Sequence, residues 1–251
     1  MDWHSTIKGF RAYLQLERSL SPNSIDGYQH DVKLLHQFFE LNNNHVQPEA
    51  VSQSDLQAFI EYINETGLSD HTHARILSGI RSFYKYLMME DLVKNDPTLL
   101  IEGPKLRRKL PDTLNVNEIN LLMQAIDHSR ADGMRNRAII ETLYGCGLRV
   151  SELVELKISN LYFDVGFIKV IGKGNKERLV PIGESAIKHI EFYREGIRNH
   201  VPINTGHEDF LFLNRRGRKL TRVYVFMMIK ELALKIGLKK SISPHTFRHS
   251  F

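Results

Sequence analysis

Cysteine is almost missing from this chain. The 251 residues hold one, Cys146, which excludes an internal disulfide. A fold built without disulfides fits a reducing compartment, so a cytoplasmic setting is expected. No apolar run approaches the roughly 20 residues that cross a bilayer, so no membrane partner is expected. Met1-Asp-Trp-His runs into charged residues rather than a signal-peptide core. Low-complexity tracts and internal repeats are missing too. What the chain has is positive charge: 34 Lys and Arg against 29 Asp and Glu, a net +5 with a pI near 9.2. That balance fits a nucleic-acid partner without proving one. With 42% hydrophobic residues, the chain has enough apolar material to core two modest domains.

The first hundred residues read as four amphipathic helices. Ile7, Phe10 and Leu14 make one apolar stripe, and Tyr28, Val32, Leu35 and Phe39 a second. Ser21-Pro22 is a helix start, with Ser as cap and Pro at the first helical position. Ser52 with Asp55 makes a capping box ahead of Leu56, Phe59, Ile60 and Ile63. Ser69 caps the fourth helix, whose core face is Ile76, Ile80, Phe83 and Leu87. Four such helices predict a small bundle.

The fourth helix carries a second, polar stripe of Arg75, Ser78, Ser82 and Lys85, with Arg81 beside it. Cations on such a face meet phosphates, and serines reach base edges. A plain solvated face is the competing reading. A linker follows, in which Lys105, Arg107, Arg108 and Lys109 lie between Pro104 and Pro111. The prolines stiffen it, and four clustered cations predict steeply salt-dependent binding. The expected domains are 1–101, a helical DNA-binding unit, 102–112, the linker, and 113–251.

The stretch Leu143-Tyr-Gly-Cys-Gly-Leu-Arg149-Val-Ser-Glu152 organises the second half. A helix with Ile139, Leu143 and Cys146 on one face runs into Gly145 and Gly147, which permit a sharp turn. Arg149 then opens a short helix in which Val150, Leu153 and Val154 keep helical spacing. A guanidinium fixed on such a turn suits a two-pronged grip on phosphate. Glu152, three residues on, is placed to orient it.

Upstream, Asn115 with Glu118 makes a second capping box, and Asp132 is expected to cap the next helix. Downstream, Phe167–Ile171 and Arg178–Ile182 read as a hairpin whose tip, Gly172-Lys173-Gly174-Asn175-Lys176, is open enough to let a lysine approach a partner. A solvated tip explains the same residues. Residues 183–200 read as helix, Phe210–Leu213 as a strand, and Thr221 as the cap of a helix through Tyr224, Met228 and Leu232, with Tyr224 in the core. Ser243-Pro244 opens a last helix that sets His245 and Arg248 on one face.

Three of these segments occur in a familiar order. Gly147-Leu-Arg149-Val-Ser-Glu152-Leu, Ile171-Gly-Lys173-Gly-Asn-Lys-Glu-Arg178-Leu-Val-Pro181 and Ser243-Pro-His245-Thr-Phe-Arg248-His249 resemble the successive motifs of the tyrosine site-specific recombinases, above all the bacterial Xer recombinases that resolve chromosome dimers. Leu20-Ser-Pro-Asn-Ser-Ile-Asp-Gly-Tyr28 is similar to their core-binding domain. The resemblance spans the chain. It implies a mainly α fold with a small β component: a four-helix SAM-like bundle, then an α+β catalytic domain. It implies that a tyrosine attacks a phosphodiester of double-stranded DNA, that Arg149 and Arg248 hold the phosphate oxygens, that Lys173 protonates the leaving 5′-oxygen and that His245 assists. Neither ATP nor a metal is implied. The partners implied are duplex DNA and homologous protomers in a DNA-bound tetramer.

In that family a further His or Trp and then the nucleophilic Tyr lie beyond the His–Arg motif. No tyrosine follows Arg248 here. The expectation is an incomplete catalytic domain that binds DNA without cleaving it. A non-catalytic DNA-binding or architectural protein would also explain the charge, though not the Arg149, Lys173, His245, Arg248 set. A phage or transposon integrase of the same superfamily is a third reading. Cys146 reads as a packed thiol rather than a nucleophile. His245 and His249 lack a third ligand for a metal.

Overall fold

Each of the first four helices begins where a side-chain oxygen takes up a free N–H. In a computed structural model of the chain, which describes residues 2–106, 112–130 and 132–250, Asp2 accepts from the Ser5 N–H (2.8 Å) at the head of α1 (Trp3–Leu16). Ser21 caps α2 (Pro22–Leu41) and Ser69 caps α4 (Asp70–Met89). At α3 (Gln53–Glu65) the capping box is complete: Asp55 N–H donates to Ser52 Oγ (3.2 Å) and Ser52 N–H to Asp55 Oδ2 (2.8 Å). Such caps are each worth about 1 kcal/mol and fix where a helix starts.

The chain divides into two units, Met1–Arg108 and Lys109–Phe251. In the first, α2 packs on α1 and α4 around Phe10, Val32, Leu35, Phe39, Phe59, Phe83 and Leu87, all buried. Each such side chain contributes about 1.5–3 kcal/mol by leaving water. The linker residues Arg107, Arg108 and Lys109 lie outside the described residues, whereas Lys105 is exposed.

The second unit opens with α5 (Val116–Gln124), whose Asn115/Glu118 capping box closes with both bonds at 2.8 Å. Then come α6 (Gly133–Gly145), α7 (Val150–Val154), β1 (Leu161–Tyr162), β2 (Phe167–Ile171), β3 (Glu177–Pro181), α8 (Glu184–Gly196), α9 (Arg222–Lys235) and α10 (Pro244–His249). The three strands form an antiparallel meander in the order β1-β2-β3. Helix α6 packs against α8, and α10 against α6 and α9. The core runs through Ile139, Leu143, Leu148, Leu153, Ile168, Val170, Ile190, Phe212, Ile229 and Phe247. The chain is therefore mainly helical with one small sheet.

Four local expectations change. Phe210–Leu213 is not a strand; only isolated bridges form at Phe210 and Leu213. The buried Arg198 guanidinium donates to the Phe210 and Leu211 carbonyls (both 3.1 Å from Nε), so groups that a partner strand would pair with are already taken. Asp132 stands at the head of α6 but makes no cap bond; its carboxylate faces Arg130 and Arg135 instead. Gly145 is still helical, and the turn rests on Gly147 alone, at φ +54°. Tyr224 is half-buried rather than core: its phenol accepts from Arg135 and donates to Asp132 (3.3 Å). Cys146 is packed as expected, and burial pushes its thiol up to about 12.

Candidate active site

Glu152 is the centre around which Arg149, Arg178 and Arg248 gather, whereas the Lys173 side chain lies outside what the structure describes. Glu152 follows Arg149 by three positions, in the first turn of α7, and its side chain is 1% exposed. The positive φ of Gly147 turns the chain between α6 and α7, which sets Arg149 at the head of the new helix with extended backbone. There the Arg149 N–H donates to Glu152 Oε2 (2.9 Å) and Arg149 Nη1 to Glu152 Oε1 (2.9 Å). The guanidinium is held by Glu152, while the Arg149 side chain as a whole remains 46% exposed.

Arg248 reaches the same place from α10. Its Nη1 donates to the Gly147 carbonyl (2.9 Å) and stands 3.9 Å from Glu152 Oε2. Residues 101 positions apart thus converge on one turn. Helix α10 has only six residues, too few to persist unaided, and neighbours secure it. Phe247 is buried, Ser250 Oγ accepts from the Leu114 N–H (2.7 Å) and donates to the Thr246 carbonyl (2.8 Å), and Lys240 Nζ donates to the Thr113 carbonyl (3.0 Å) and pairs with Glu118. His245 lies in the first turn of α10 and is exposed.

The hairpin contributes a residue that the motif reading left without a role. Arg178 sits in β3 opposite Val170, on the inward side with Val180. Its Nη1 donates to Glu152 Oε1 (2.7 Å) and its Nη2 to Oε2 (2.9 Å), a two-pronged pair. The alternation of β3 was the signal that could have found it: Arg178 and Val180 share a face, and Val180 is buried. Lys173 begins the turn at the hairpin tip. Its neighbour Gly172 lies over the pair, so that a methyl added there would stand 3.4 Å from Glu152 Oε1.

Burial by itself pushes the Glu152 carboxyl up. The Arg178 hydrogen bonds outweigh that, with help from the Arg149 N–H and side chain, and hold it at about 2. The site therefore carries a permanent carboxylate among three guanidinium groups, a net positive surface facing solvent, which suits a phosphate and not a cation.

In the first unit, Arg75, Ser78 and Lys85 are exposed along α4. Arg75 is paired with the buried Asp31 through Nη1 (2.8 Å to Oδ2), and Arg81 Nη2 donates to the Ile101 carbonyl (2.5 Å). Lys85 and Lys105 are exposed. Among the described residues no group of three or more His, Cys, Asp or Glu could hold a metal ion, and no helix is long and apolar enough to cross a membrane.

Comparison with known proteins places the chain in a family. The phage integrase family profile matches residues 112–251, and the profile of its N-terminal SAM-like domain matches residues 7–91. The tyrosine recombinase XerD of Staphylococcus saprophyticus is 39% identical over 98% of this chain and 82% of its own length, and that of Oceanobacillus iheyensis is equally similar over the same shares. A lambda integrase tetramer bound to a Holliday junction shares the fold, with a TM-score of 0.75 at 16% identity, covering 100% of this chain and 71% of that one. The chain belongs to the phage integrase family of tyrosine recombinases, enzymes that break and rejoin DNA.

Proposed function

We propose that this chain acts in site-specific recombination of the Xer type, resolving chromosome dimers in the cytoplasm. Residues 1–101 grip the duplex, 102–112 are the basic linker and 113–251 hold the scissile phosphate. Arg149 and Arg248 hold the two non-bridging oxygens and stabilise charge as a tyrosine oxygen attacks phosphorus. The bond to the 5′-oxygen breaks, and Lys173 gives that oxygen its proton. His245 hydrogen-bonds the phosphate. A 3′-phosphotyrosyl bond and a free 5′-hydroxyl result, and attack by a second 5′-hydroxyl reverses the step with no outside energy. Arg75, Arg81, Lys85, Lys105, Arg107, Arg108 and Lys109 contact the DNA backbone, in a complex of homologous protomers.

One observation supports this reading above the others: Arg149 and Arg248, from separate helices, meet at one buried carboxylate. Within these 251 residues no tyrosine follows Arg248, and the phenol of Tyr224 is occupied by Arg135 and Asp132. A polypeptide of this length is therefore expected to hold a duplex without opening it. The test is incubation with a nicked duplex that traps the phosphotyrosyl intermediate, followed by a denaturing gel. Retention on DNA with no covalent band is expected. A covalent band on this polypeptide would assign the nucleophile to another residue and overturn the reading.

A further inference from the structure

We propose that Arg178 is a positioning residue for phosphate capture: it meets the needs of buried Glu152, and so leaves Arg149 and Arg248 with N–H groups free for a phosphodiester. This rests on the reading of Arg149 and Arg248 as the phosphate-holding pair.

A carboxylate offers about four lone-pair sites. Arg178 fills two of those on Glu152, at 2.7 and 2.9 Å, and Arg149 fills two more, one through its backbone N–H and one through Nη1, both at 2.9 Å. Arg248 stands off at 3.9 Å and directs Nη1 to the Gly147 carbonyl. Each guanidinium has five N–H groups. Arg149 and Arg248 thus keep most of theirs, whereas Arg178 commits both terminal nitrogens to the carboxylate.

Charge gives the same division. One carboxylate and three guanidinium groups leave a net +2 at the site. A phosphodiester brings −1, and its charge grows during attack. Arg178 cancels Glu152, and the other two arginines face the phosphate undiminished. Remove Arg178, and a carboxylate that is 1% exposed must find its counter-charge among the remaining two. Glu152 then competes with the phosphate for Arg149 and Arg248. The pair also fastens the start of the hairpin tip, because Gly172 lies against both Glu152 Oε1 and Arg178 Nη1. A single contact therefore sets the two arginines and the strand that leads to Lys173.

The competition makes a specific demand. Loss of Arg178 should be repaired by neutralising Glu152, which a purely structural role would not allow. The experiment titrates tungstate, a tetrahedral oxyanion, into the 251-residue chain and follows the Nε–Hε NMR signals of Arg149 and Arg248. In the unaltered chain both should shift on one binding curve. Arg178→Gln should weaken binding on the order of tenfold, the size of one good charge-assisted contact. Adding Glu152→Gln to it should recover most of that loss. If Arg178→Gln does not fold, Arg178→Lys keeps the charge but not the two-pronged grip, and should show a smaller loss, again reversed by Glu152→Gln. Unchanged affinity in the Arg178 variant, or no recovery on neutralising Glu152, overturns the inference. No response of Arg149 and Arg248 in the unaltered chain overturns the phosphate reading itself, and this inference with it.

Discussion

Each of the two units buries a carboxylate beside arginine, and the two behave oppositely. Asp31 of the first unit is 3% exposed and meets one guanidinium nitrogen, Arg75 Nη1, which stands 2.6 Å from Oδ1 and donates to Oδ2 at 2.8 Å. That single nitrogen serves both oxygens: buried Oδ1 has its charge close by but no hydrogen bond among the described residues. Burial pushes the Asp31 carboxyl above the usual range, and Arg75 only partly offsets this. Glu152 is as deeply buried, yet four N–H groups from Arg178 and Arg149 hold it at about 2. Burial penalises both charges alike, and the number of donors decides the sign. A half-satisfied acid is tolerated in a bundle whose apolar core supplies stability. The acid in the catalytic unit stays charged, which fits the proposal that the arginines around it hold the phosphate.

The largest expected effect comes from breaking the satisfied side. Glu152→Ala leaves three guanidinium groups facing one another and should cost about 3–5 kcal/mol of unfolding free energy in urea, the range for one partner lost from a buried ion pair. The pH dependence follows from the signs. Glu152 has a depressed value, so its contribution is complete above the ordinary glutamate range and is lost as pH falls toward about 2.

Breaking the half-satisfied side should do less. Arg75→Ala strips Asp31 of its counter-charge and should cost about 1–3 kcal/mol at neutral pH. Here the direction reverses. Asp31 has a raised value, so its burial penalises the folded state at high pH, and acidification relieves the penalty. The Arg75→Ala deficit should therefore shrink on moving from pH 7 toward pH 5, as read from denaturation midpoints. A deficit that grows would show that Asp31 is better satisfied than its contacts indicate.

The smallest effect concerns DNA and sharpens the same contrast. Arg75 lends its charge to Asp31, whereas Arg81 donates only to a neutral carbonyl and keeps its full charge, and Lys85 is exposed. Removing Arg81 and Lys85 together should lower the slope of log affinity against log salt by about 2, and removing Arg75 by less than 1. Fluorescence anisotropy titrations on a labelled duplex at several salt concentrations measure both. Equal slopes for the unaltered chain and both variants would return α4 to a plain solvated face.

How much of this was legible in advance follows from the range of the forces involved. The sequence by itself determined what lies within a few residues: the helix starts at Ser21, Ser52, Ser69 and Asn115, the Gly147 turn, and the Arg149–Glu152 pair. Helical spacing and cap chemistry act over three or four positions, and they fix these whatever the rest of the chain does. The motif spacing also carried the family and the catalytic candidates. Tertiary structure decided the rest. Arg178 reaches Glu152 across 26 positions, Asp31 reaches Arg75 across 44, and Arg248 reaches Gly147 across 101. Phe210–Leu213 has the composition of a strand, but Arg198 occupies its carbonyls, and no local pattern announces that. Which arginine balances a buried acid, and which is left to meet a phosphate, is set by packing between elements distant in sequence, because a carboxylate removed from water takes whatever donors the fold brings within about 3 Å of it.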